Sequence, residues 1–527
     1  MTKSASPPRT GRSAALVAAG ILLSRISGFL RLRFFAYYFG LESDAADAFN
    51  AAFRIPNFLQ NLFGEGALSA SFIPVYASLV ARGERREADR VAGAVAALLA
   101  VIVAVIVLVG VLATPFLIDA IAFGFTGDKR ALTIQIVRVL FPGAGLLVLS
   151  AWCLGVLNSH YRFLLSYTAP VIWNAAMIAT LVLYGRSPLP RLAVTLAWGS
   201  VVGSGLQFAV QIPSVLRVAP NLKFAIDTAS EHVRTVMRNF VPVFISRGVV
   251  QLSAYIDTLL ASLLPTGAVT GMANAQLLYT LPVSLFGMSV SAAELPAMSG
   301  AIDVDSEGAE VVRRRLDRGL RQIAFFVLPS AVAFLALGDV IAAALLQTGR
   351  FRREDSVYVW AILAGSSVGL LASTLGRLYS STYYALRDTR TPLRYALVRV
   401  ALTTILGYTF AIPLPRWLGI PAIWGAAGLT SSAGLAGWVE MLMLRRTLNS
   451  RIGRTGLGIG YVTRLWISAA AAAAAGWVVK LLIPPMHPAL AALLILGAFG
   501  LVFIGMTAAF RVPETSIVID RLRRLRS

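Results

Sequence analysis

Residues 91–115 read VAGAVAALLAVIVAVIVLVGVLATP and contain no charged side chain. A helix of about 20 apolar residues crosses a hydrocarbon core about 30 Å thick, so this stretch is long enough to span a membrane. A transmembrane β-strand would instead alternate apolar and polar residues over about 10 positions. Residues 466–483 have the same apolar character and are rich in alanine. The two stretches predict membrane-spanning helices.

The composition of the whole chain agrees with this prediction. Of its 527 residues, 57% are hydrophobic and 14% are charged, and the mean hydropathy of +0.74 excludes a soluble cytosolic enzyme. The single cysteine, Cys153, cannot form an internal disulfide, and the three histidines are too scattered to suggest a metal cluster. No Ser/His/Asp or Cys/His arrangement suggests catalysis. We therefore expect no catalytic machinery and no cofactor.

Charged, proline and glycine residues divide the chain into fourteen predicted spans. The predicted fold class is an all-α polytopic membrane protein, because each apolar run is long enough to cross the bilayer as a helix. The predicted spans are 13–39, 47–80, 91–117, 131–157, 161–184, 192–215, 236–263, 271–299, 317–345, 356–385, 393–413, 420–446, 462–483 and 489–511.

The placement of lysine and arginine predicts the orientation. An even number of spans puts both termini on one side; the segments on that side hold 30 of the 47 lysines and arginines, and the opposite loops hold eight. Cytoplasmic loops are enriched in these residues, so both termini are expected in the cytoplasm. Because the basic residues are spread over short loops, the net charge of +22 does not indicate a nucleic-acid partner.

The chain also contains an internal repeat. LFGEGALSASFIP at 62–74 resembles LFGMSVSAAELP at 285–296, and the Ser-Arg pair at 24–25 recurs at 246–247, in each case about 222 residues later. Each copy holds six predicted spans, so both copies keep the same orientation across the membrane. The predicted segments are a cytoplasmic N-terminal tail (1–12), an N-lobe (13–215), a cytoplasmic linker (216–235), a C-lobe (236–446), a linker with the last two helices (447–511) and a basic cytoplasmic tail (512–527).

Ionisable side chains inside the predicted spans are the main functional signal. Each costs at least about 2.5 kcal/mol at the bilayer centre and normally faces a cavity or a partner. In the second span, Asp47, Arg54 and Glu65 fall on one face of an ideal helix, over about 27 Å of its length. This spacing predicts a polar face that runs nearly across the hydrocarbon core, although a bend at Pro56 would shift the angles.

Cations predominate among the groups inside the spans. Arg25 and Arg31 lie in the first span, Arg247 in the seventh and Arg377 in the tenth. Arginine stays charged when desolvated and presents a fork of donors that fits phosphate, so we expect an anionic, phosphate-bearing ligand in a cavity. The alternative is that Arg25 and the three charges of the second span pair with one another and only hold the N-lobe together.

Three acids in the second half of the chain have two interpretations each. Asp257 and Glu440 suit a coupling Na⁺ or H⁺, and they equally suit hydrogen-bonded packing within the helices. Glu294 lies between apolar residues, where it is expected either to pair with Arg247 or to line the cavity.

Several motifs resemble the MurJ/MviN family of lipid II flippases. Near the N-terminus these are SRISGFLR at 24–31, DAF at 47–49 and FGEGA at 63–67; downstream, GRF at 349–351 and DTRTP at 388–392 follow in the family's order. The resemblance covers essentially the whole chain. It implies the fold of the multidrug/oligosaccharidyl-lipid/polysaccharide exporter superfamily, with two six-helix lobes around a central cavity and a lipid-tail groove at the last two helices.

The resemblance also assigns residues to the cavity. It places Arg25, Arg31, Asp47 and Glu65 there and makes Arg377 a cationic position of the tenth helix. Two cavity arginines of the family are replaced here by Gln60 and Gln276. Arg247, at a position that is commonly apolar in the family, is expected to restore one of the missing cations.

The function implied by the resemblance is translocation of undecaprenyl-diphosphate-linked disaccharide-pentapeptide from the cytoplasmic to the periplasmic leaflet of the bacterial inner membrane. The arginines would hold the diphosphate while the tail stays among membrane lipids, and rocking of the lobes would alternate access. The alternatives are another polyprenyl-linked oligosaccharide flippase of the superfamily, a drug/cation antiporter, which would show acidic and aromatic cavity walls, and a membrane glycosyltransferase, whose metal-binding acidic motif is absent.

Cysteine labelling tests the predicted orientation. Cysteines introduced at 81–90 and 445–464 should be shielded from a membrane-impermeant thiol reagent in intact cells, whereas cysteines at 40–46 should react, because the basic loops are expected inside. All of them should react after permeabilisation. Labelling with the opposite sidedness would overturn the predicted orientation.

Overall fold

The computed structural model describes residues 10–63, 65–227, 230–299 and 305–516, and these ranges are helical and contain no β-strand. The helices are α1 (Thr10–Phe39), α2 (Asp44–Phe63), α3 (Glu65–Ala81), α4 (Arg85–Ile121), α5 (Gly127–Ser159), α6 (Phe163–Tyr184), α7 (Leu189–Val218), α8 (Glu231–Ser262), α9 (Ala268–Pro282), α10 (Ser289–Ser299), α11 (Asp305–Leu346), α12 (Arg353–Ser367), α13 (Leu370–Ala385), α14 (Arg390–Ala411), α15 (Pro413–Trp417), α16 (Gly425–Ile452), α17 (Ile459–Leu482) and α18 (Pro488–Ala509).

Each of the fourteen predicted spans coincides with one helix or with consecutive helix segments. Within the described ranges, nine helices are long and apolar enough to cross a membrane, or ten if the bent pair α12 and α13 forms one span. The count of fourteen is therefore not confirmed. The spans that fall short correspond to α1, to α2 with α3, to α8 and to α16. In α1, in α2 with α3 and in α8, some side chains or a connecting residue lie outside the described residues, and only α16 is described over its whole length. All but one of the candidate acids lie on these helices.

The second copy of the repeated Leu-Phe-Gly motif coincides with an irregularity of the helix. A π-helical turn, Val283–Met288, separates α9 from α10 there. In the first copy Gly64, between α2 and α3, lies outside the described residues, as does the Glu65 side chain. The common face predicted for Asp47, Arg54 and Glu65 therefore stays a prediction.

The first compact unit comprises Met1–Gly267 and Thr348–Arg350. Its central helix is α5, which packs against α2, α4 and α7, while α1 packs against α6. Polar side chains join these apolar helices: the Trp152 indole donates to the Ala92 carbonyl oxygen at 3.2 Å, and the Ser150 hydroxyl donates to Gln211 Oε1 at 3.0 Å. Each of these two buried donors therefore has an acceptor on a neighbouring helix.

The second compact unit comprises Ala268–Gln347 and Phe351–Ser527. Helix α11 packs against α12, α13, α17 and α18, and α16 packs against α12, α13 and α14. The helix break between α12 and α13 leaves the Val368 carbonyl oxygen to accept from the Trp438 indole of α16 at 2.8 Å. The pair α12 and α13 is bent by 43° at this break.

The helices repeat at the offset found in the sequence. Shifting the bounds of α1 by 222 residues gives 232–261, and α8 covers Glu231–Ser262. Compact unit 1 nevertheless extends to Gly267, because α8 packs against α2, α3 and α4. The lobes 13–215 and 236–446 describe the sequence repeat and stay a prediction.

The DTRTP motif at 388–392 connects α13 to α14 and has a structural role. Asp388 accepts hydrogen bonds from the backbone N–H groups of Arg390 and Thr391 and from the Thr391 hydroxyl, and it pairs with Arg451 of α16 at 2.8 Å. The hydrogen bonds from Thr391, assisted by Arg451, hold the pKa of this loop carboxyl below its usual range. The motif therefore caps α14 and attaches the loop to α16.

Two glycines of α16 test how closely this helix packs against the α12–α13 break. A Cβ atom added at Gly434 would lie 2.7 Å from the Gly369 backbone nitrogen, whereas one added at Gly437 would meet no atom within 4 Å. Gly434→Ala should therefore lower the free energy of unfolding by about 1–3 kcal/mol through overpacking. Gly437→Ala, on the same helix, should be neutral or stabilising by up to about 1 kcal/mol. Thermal unfolding in detergent measures both, and equal effects would contradict the close contact.

Candidate functional site

In the first unit, the Arg31 guanidinium lies among aromatic rings. Its central carbon is 5.1 Å from the ring centroid of Phe53 and 4.9 Å from that of Trp173, and these two rings are themselves stacked at 5.6 Å. Its Nη1 also donates to Met177 Sδ at 3.5 Å. Among the described side chains no carboxylate forms an ion pair with Arg31. Cation–π contacts hold this charge in place and leave its hydrogen-bond donors largely unused.

Arg25 lies on the same helix, and its side chain is exposed. Within the described part of the chain it forms no ion pair. Arg25 and Arg31 are six residues apart, so both are presented from one helix about 9 Å along its axis. The structure thus retains two arginines of α1 whose charge is not cancelled by a described carboxylate.

Arg54 lies beside α8. Its carbonyl oxygen accepts a hydrogen bond from the Tyr255 hydroxyl at 3.2 Å, and the Asp257 carboxylate attracts its guanidinium. Tyr255 also contacts the Phe58 ring edge to face, with the centroids 5.4 Å apart. Asp257 is therefore opposite a cation of α2, a neighbour that the sequence spacing could not identify.

Asp47 is fully buried and belongs to an ionic cluster at the start of α2. Its Oδ2 atom accepts from Lys129 Nζ at 2.8 Å and from the Gly267 backbone N–H at 2.9 Å. Lys129 also pairs with Asp44 at 3.1 Å, and Asp44 accepts from the Thr266 hydroxyl at 2.8 Å. The cluster joins the N-termini of α2 and α5 to the loop after α8.

These contacts bear on the alternative that Arg25, Asp47, Arg54 and Glu65 pair among themselves. The partners found for Asp47 and Arg54 are Lys129 and Asp257, which lie outside that set. Glu65 begins α3 and Arg247 lies within α8, but their side chains are outside the described residues. Their predicted roles, and the predicted replacement of missing cations by Arg247, stay predictions.

In the second unit, two predicted site residues are exposed. Gln276 on α9 donates to the Thr280 hydroxyl of its own helix at 3.3 Å. Arg377 on α13 is exposed, and together with Arg399 it acts electrostatically on the Tyr279 hydroxyl, which is 2.6 Å from Ser373 Oγ. Arg377, Arg399 and Tyr279 therefore form a polar cluster on α9, α13 and α14.

Glu440 has a cationic partner that sequence reasoning missed. Arg399 Nη1 donates to Glu440 Oε2 at 3.2 Å, joining α14 to α16. Glu294 is likewise 3.5 Å from Arg315 of α11, a partner that neither interpretation of Glu294 had considered. Lys129, Arg399 and Arg315 carried no motif, and the only available signal was that each is a cation close to or within a predicted span.

A coupling-ion site is not evident in the geometry. Within the described residues no three His, Cys, Asp or Glu side chains converge as metal ligands. Asp257 faces Arg54 and Glu440 pairs with Arg399, so a cation at either carboxylate would have to compete with a guanidinium. Each unit by itself presents arginines suited to an oxyanion, and the second unit adds hydroxyl groups.

Comparisons with known proteins identify the family. The family profile of the lipid II flippase MurJ matches residues 35–508. A probable lipid II flippase MurJ of Rhizobium meliloti is 32% identical over 478 residues, which are 88% of this chain and 85% of that protein. The lipid II flippase MurJ of Burkholderia cenocepacia is 33% identical over 450 residues, which are 84% of each protein.

Solved structures show the same fold. A lipid II flippase MurJ in an inward closed conformation superposes with a TM-score of 0.77 at 23% identity, covering 94% of this chain and 98% of that one. An inward-facing multidrug resistance transporter of the MATE family and the MOP superfamily gives a TM-score of 0.62 at 18% identity, covering 80% and 94%. The predicted all-helical exporter fold is confirmed. Since the profile and the two relatives align over most of the sequence, this chain belongs to the MurJ family of lipid II flippases.

Proposed function

We propose that this chain moves lipid II, the undecaprenyl-diphosphate-linked peptidoglycan precursor, from the cytoplasmic to the periplasmic leaflet by alternating access. The single observation that carries the proposal, beside family membership, is the environment of Arg31. Its charge is held by the Phe53 and Trp173 rings, and none of the described carboxylates neutralises it. A diphosphate can take up its free donors without displacing an acid.

The proposed activity moves lipid II between the leaflets without making or breaking a bond. The residues of the site bind the head group and release it. Arg25 and Arg31 of the first unit and Arg377 of the second supply cations, while the Tyr279 and Ser373 hydroxyls suit sugar or phosphate oxygens. The tail would remain in lipid along α17 and α18, whose exposed leucines suit contact with acyl or prenyl chains. Both termini are placed in the cytoplasm by the distribution of basic residues.

Ion coupling is proposed at the acids that face arginines. A diphosphate that draws Arg399 towards itself would leave Glu440 without its cation and so raise the affinity of that carboxylate for Na⁺ or H⁺. The same linkage applies to Asp257 and Arg54. Binding of substrate and of a coupling cation would then support each other.

A drug/cation antiporter is not favoured. The likeness to a multidrug transporter at 18% identity concerns the fold alone. The acids Asp47 and Glu440 each pair with a cation, whereas Arg25 and Arg377 are exposed. Such an arrangement suits an anionic substrate better than a cationic drug.

Replacement of Arg31 tests the proposal. In a bacterium that depends on this chain, Arg31→Ala should weaken head-group binding by about ten- to a hundredfold, because a charged hydrogen bond contributes about 1.5–3 kcal/mol. Labelling that distinguishes the two leaflets should then find lipid II accumulating on the cytoplasmic side. Arg31→Lys should be partly active, because an ammonium keeps the charge and loses the fork.

Arg33→Ala is the matched control for this experiment, since Arg33 lies two residues further along α1 and was not predicted to bind substrate. It should support growth. Equal amounts of membrane-inserted protein must be verified for all variants. Normal export of lipid II by Arg31→Ala, or loss of folded protein in that variant alone, would contradict a substrate role for Arg31.

The ionic cluster at Asp47 gives a second test. Lys129→Met removes the lysine partner of the buried Asp47 carboxylate and should lower the free energy of unfolding by about 3–5 kcal/mol. The double variant Lys129→Met with Asp47→Asn should recover most of that stability. If the stabilised double variant also restores transport, Asp47 acts through Lys129; if it folds without transporting, Asp47 or Lys129 contacts the substrate.

A further inference from the structure

A cavity of about 340 Å³ lies in the second unit, and none of the arginines assigned to substrate lines it. It is formed by the C-terminal end of α11, the first turn of α12 and the turn that joins α17 to α18. Its polar wall includes Asp339, Arg353, Ser356 and Lys480, and its apolar wall includes Ile483 and Met486. A ligand that fits this cavity therefore needs a polar head and an apolar part.

The charges of the cavity favour an anion. Lys480 Nζ pairs with Asp339 Oδ2 at 2.6 Å and lies 4.6 Å from the Trp477 ring centroid. Arg353 is exposed at the cavity wall and pairs with no carboxylate in the described ranges. Since the Lys480 and Asp339 charges cancel, Arg353 leaves the polar wall with a net positive charge.

The second carboxylate oxygen of Asp339 adds a different requirement. Asp339 Oδ1 is buried and accepts no hydrogen bond from any residue that the structure describes. A buried acceptor without a donor costs about 1–3 kcal/mol, so a ligand that brings a hydroxyl or ammonium donor would be stabilised here. The preferred ligand thus carries both a phosphate-like anion and a hydrogen-bond donor.

The surroundings identify the ligand as a membrane lipid. Leu481 and Leu482, next to the cavity residue Ile483, are 75% and 77% exposed, as expected for side chains that face acyl chains. Trp477, which lies one turn before Leu481 on α17, donates its indole N–H to the Ala336 carbonyl oxygen. Tryptophan is enriched where the hydrocarbon core meets the head groups, and this placement puts the cavity at that depth.

We propose that this cavity binds the head group of an anionic glycerophospholipid that carries hydroxyl groups, such as phosphatidylglycerol. Arg353 and Lys480 contact the phosphate, Asp339 Oδ1 accepts from a head-group hydroxyl, and Ile483 and Met486 contact the upper part of the acyl chains. Since α17 and α18 both pack against α11, a bound lipid would also join the last two helices to α11 and α12. None of these residues belongs to the proposed head-group site of lipid II, but α17 and α18 are also the helices along which its tail is proposed to lie.

Lipid binding to the purified full-length protein tests the proposal. Native mass spectrometry in a mild detergent would compare phosphatidylglycerol with phosphatidylcholine, which has the same phosphate but no hydrogen-bond donor in its head group. Phosphatidylglycerol should bind at least about tenfold more tightly, because charged hydrogen bonds contribute about 1.5–3 kcal/mol. Inorganic phosphate at millimolar concentration should not displace it.

Three variants test whether phosphatidylglycerol binds in this cavity. Arg353→Gln should weaken phosphatidylglycerol binding by about three- to fivefold, as expected for an exposed cation. The double variant Lys480→Met with Asp339→Asn, which leaves no charge unpaired, should reduce it to the level of phosphatidylcholine. Arg416→Gln, an exposed arginine of the same unit outside the cavity, is the matched control and should bind as the wild type does.

Two results would overturn the proposal. One is equal binding of the two lipids, or binding that is unchanged in both cavity variants while the proteins remain folded. The other is displacement of phosphatidylglycerol by inorganic phosphate, which would show that the cavity takes a free phosphate ion rather than a lipid head group. Transport by these variants would be measured separately, so that failure of lipid binding and failure of flipping are distinguished.

Discussion

Inside a hydrocarbon layer, every backbone polar group and every charge must find its partner within the protein, and the rest of this structure depends on that constraint. This constraint makes the described part of the chain helical. It also explains how helix breaks are accommodated: where α12 gives way to α13, the Val368 carbonyl oxygen accepts from the Trp438 indole. In the second copy of the repeat, the Leu-Phe-Gly motif lies in a π-helical turn, Val283–Met288.

The same constraint divides the ionisable groups into two kinds. Asp47, Glu440 and Glu294 each pair with a cation, and each pair joins two different helices. Arg31 is stabilised by aromatic rings instead. A guanidinium over a ring keeps its edge donors available, whereas one bound to a carboxylate does not. The chemistry of Arg31 therefore suits an oxyanion that must be bound and later released.

The last two helices, α17 and α18, present exposed apolar side chains that suit contact with membrane lipid. Helices α17 and α18 pack against α11, and their outer leucines are exposed. The Lys480–Asp339 pair joins α17 to α11, and it adds a charged contact to the hydrogen bonds that Trp477 and Tyr461 of α17 donate to backbone carbonyl oxygens of α11. A lipid bound beside this pair would stabilise the same interface, because binding to the folded state alone shifts the equilibrium towards it.

The sequence by itself determined the fold class, the family and the candidate residues. Apolar runs specify helices because length and hydrophobicity alone govern membrane insertion, and the family motifs are contiguous short segments that read directly from the chain. It could not locate the π-helical turn at Val283–Met288, because an apolar run looks the same in sequence whether its helix is regular or contains such a turn.

Only the tertiary structure decided the partners. Lys129 lies 82 residues from Asp47, Arg399 lies 41 residues from Glu440, and Arg315 lies 21 residues from Glu294. Helical periodicity relates positions three and four residues apart, whereas pairs on different helices depend on how each helix is rotated and packed against its neighbour. For that reason the residues that carry charge could be named from the sequence, and the atoms that neutralise those charges could not.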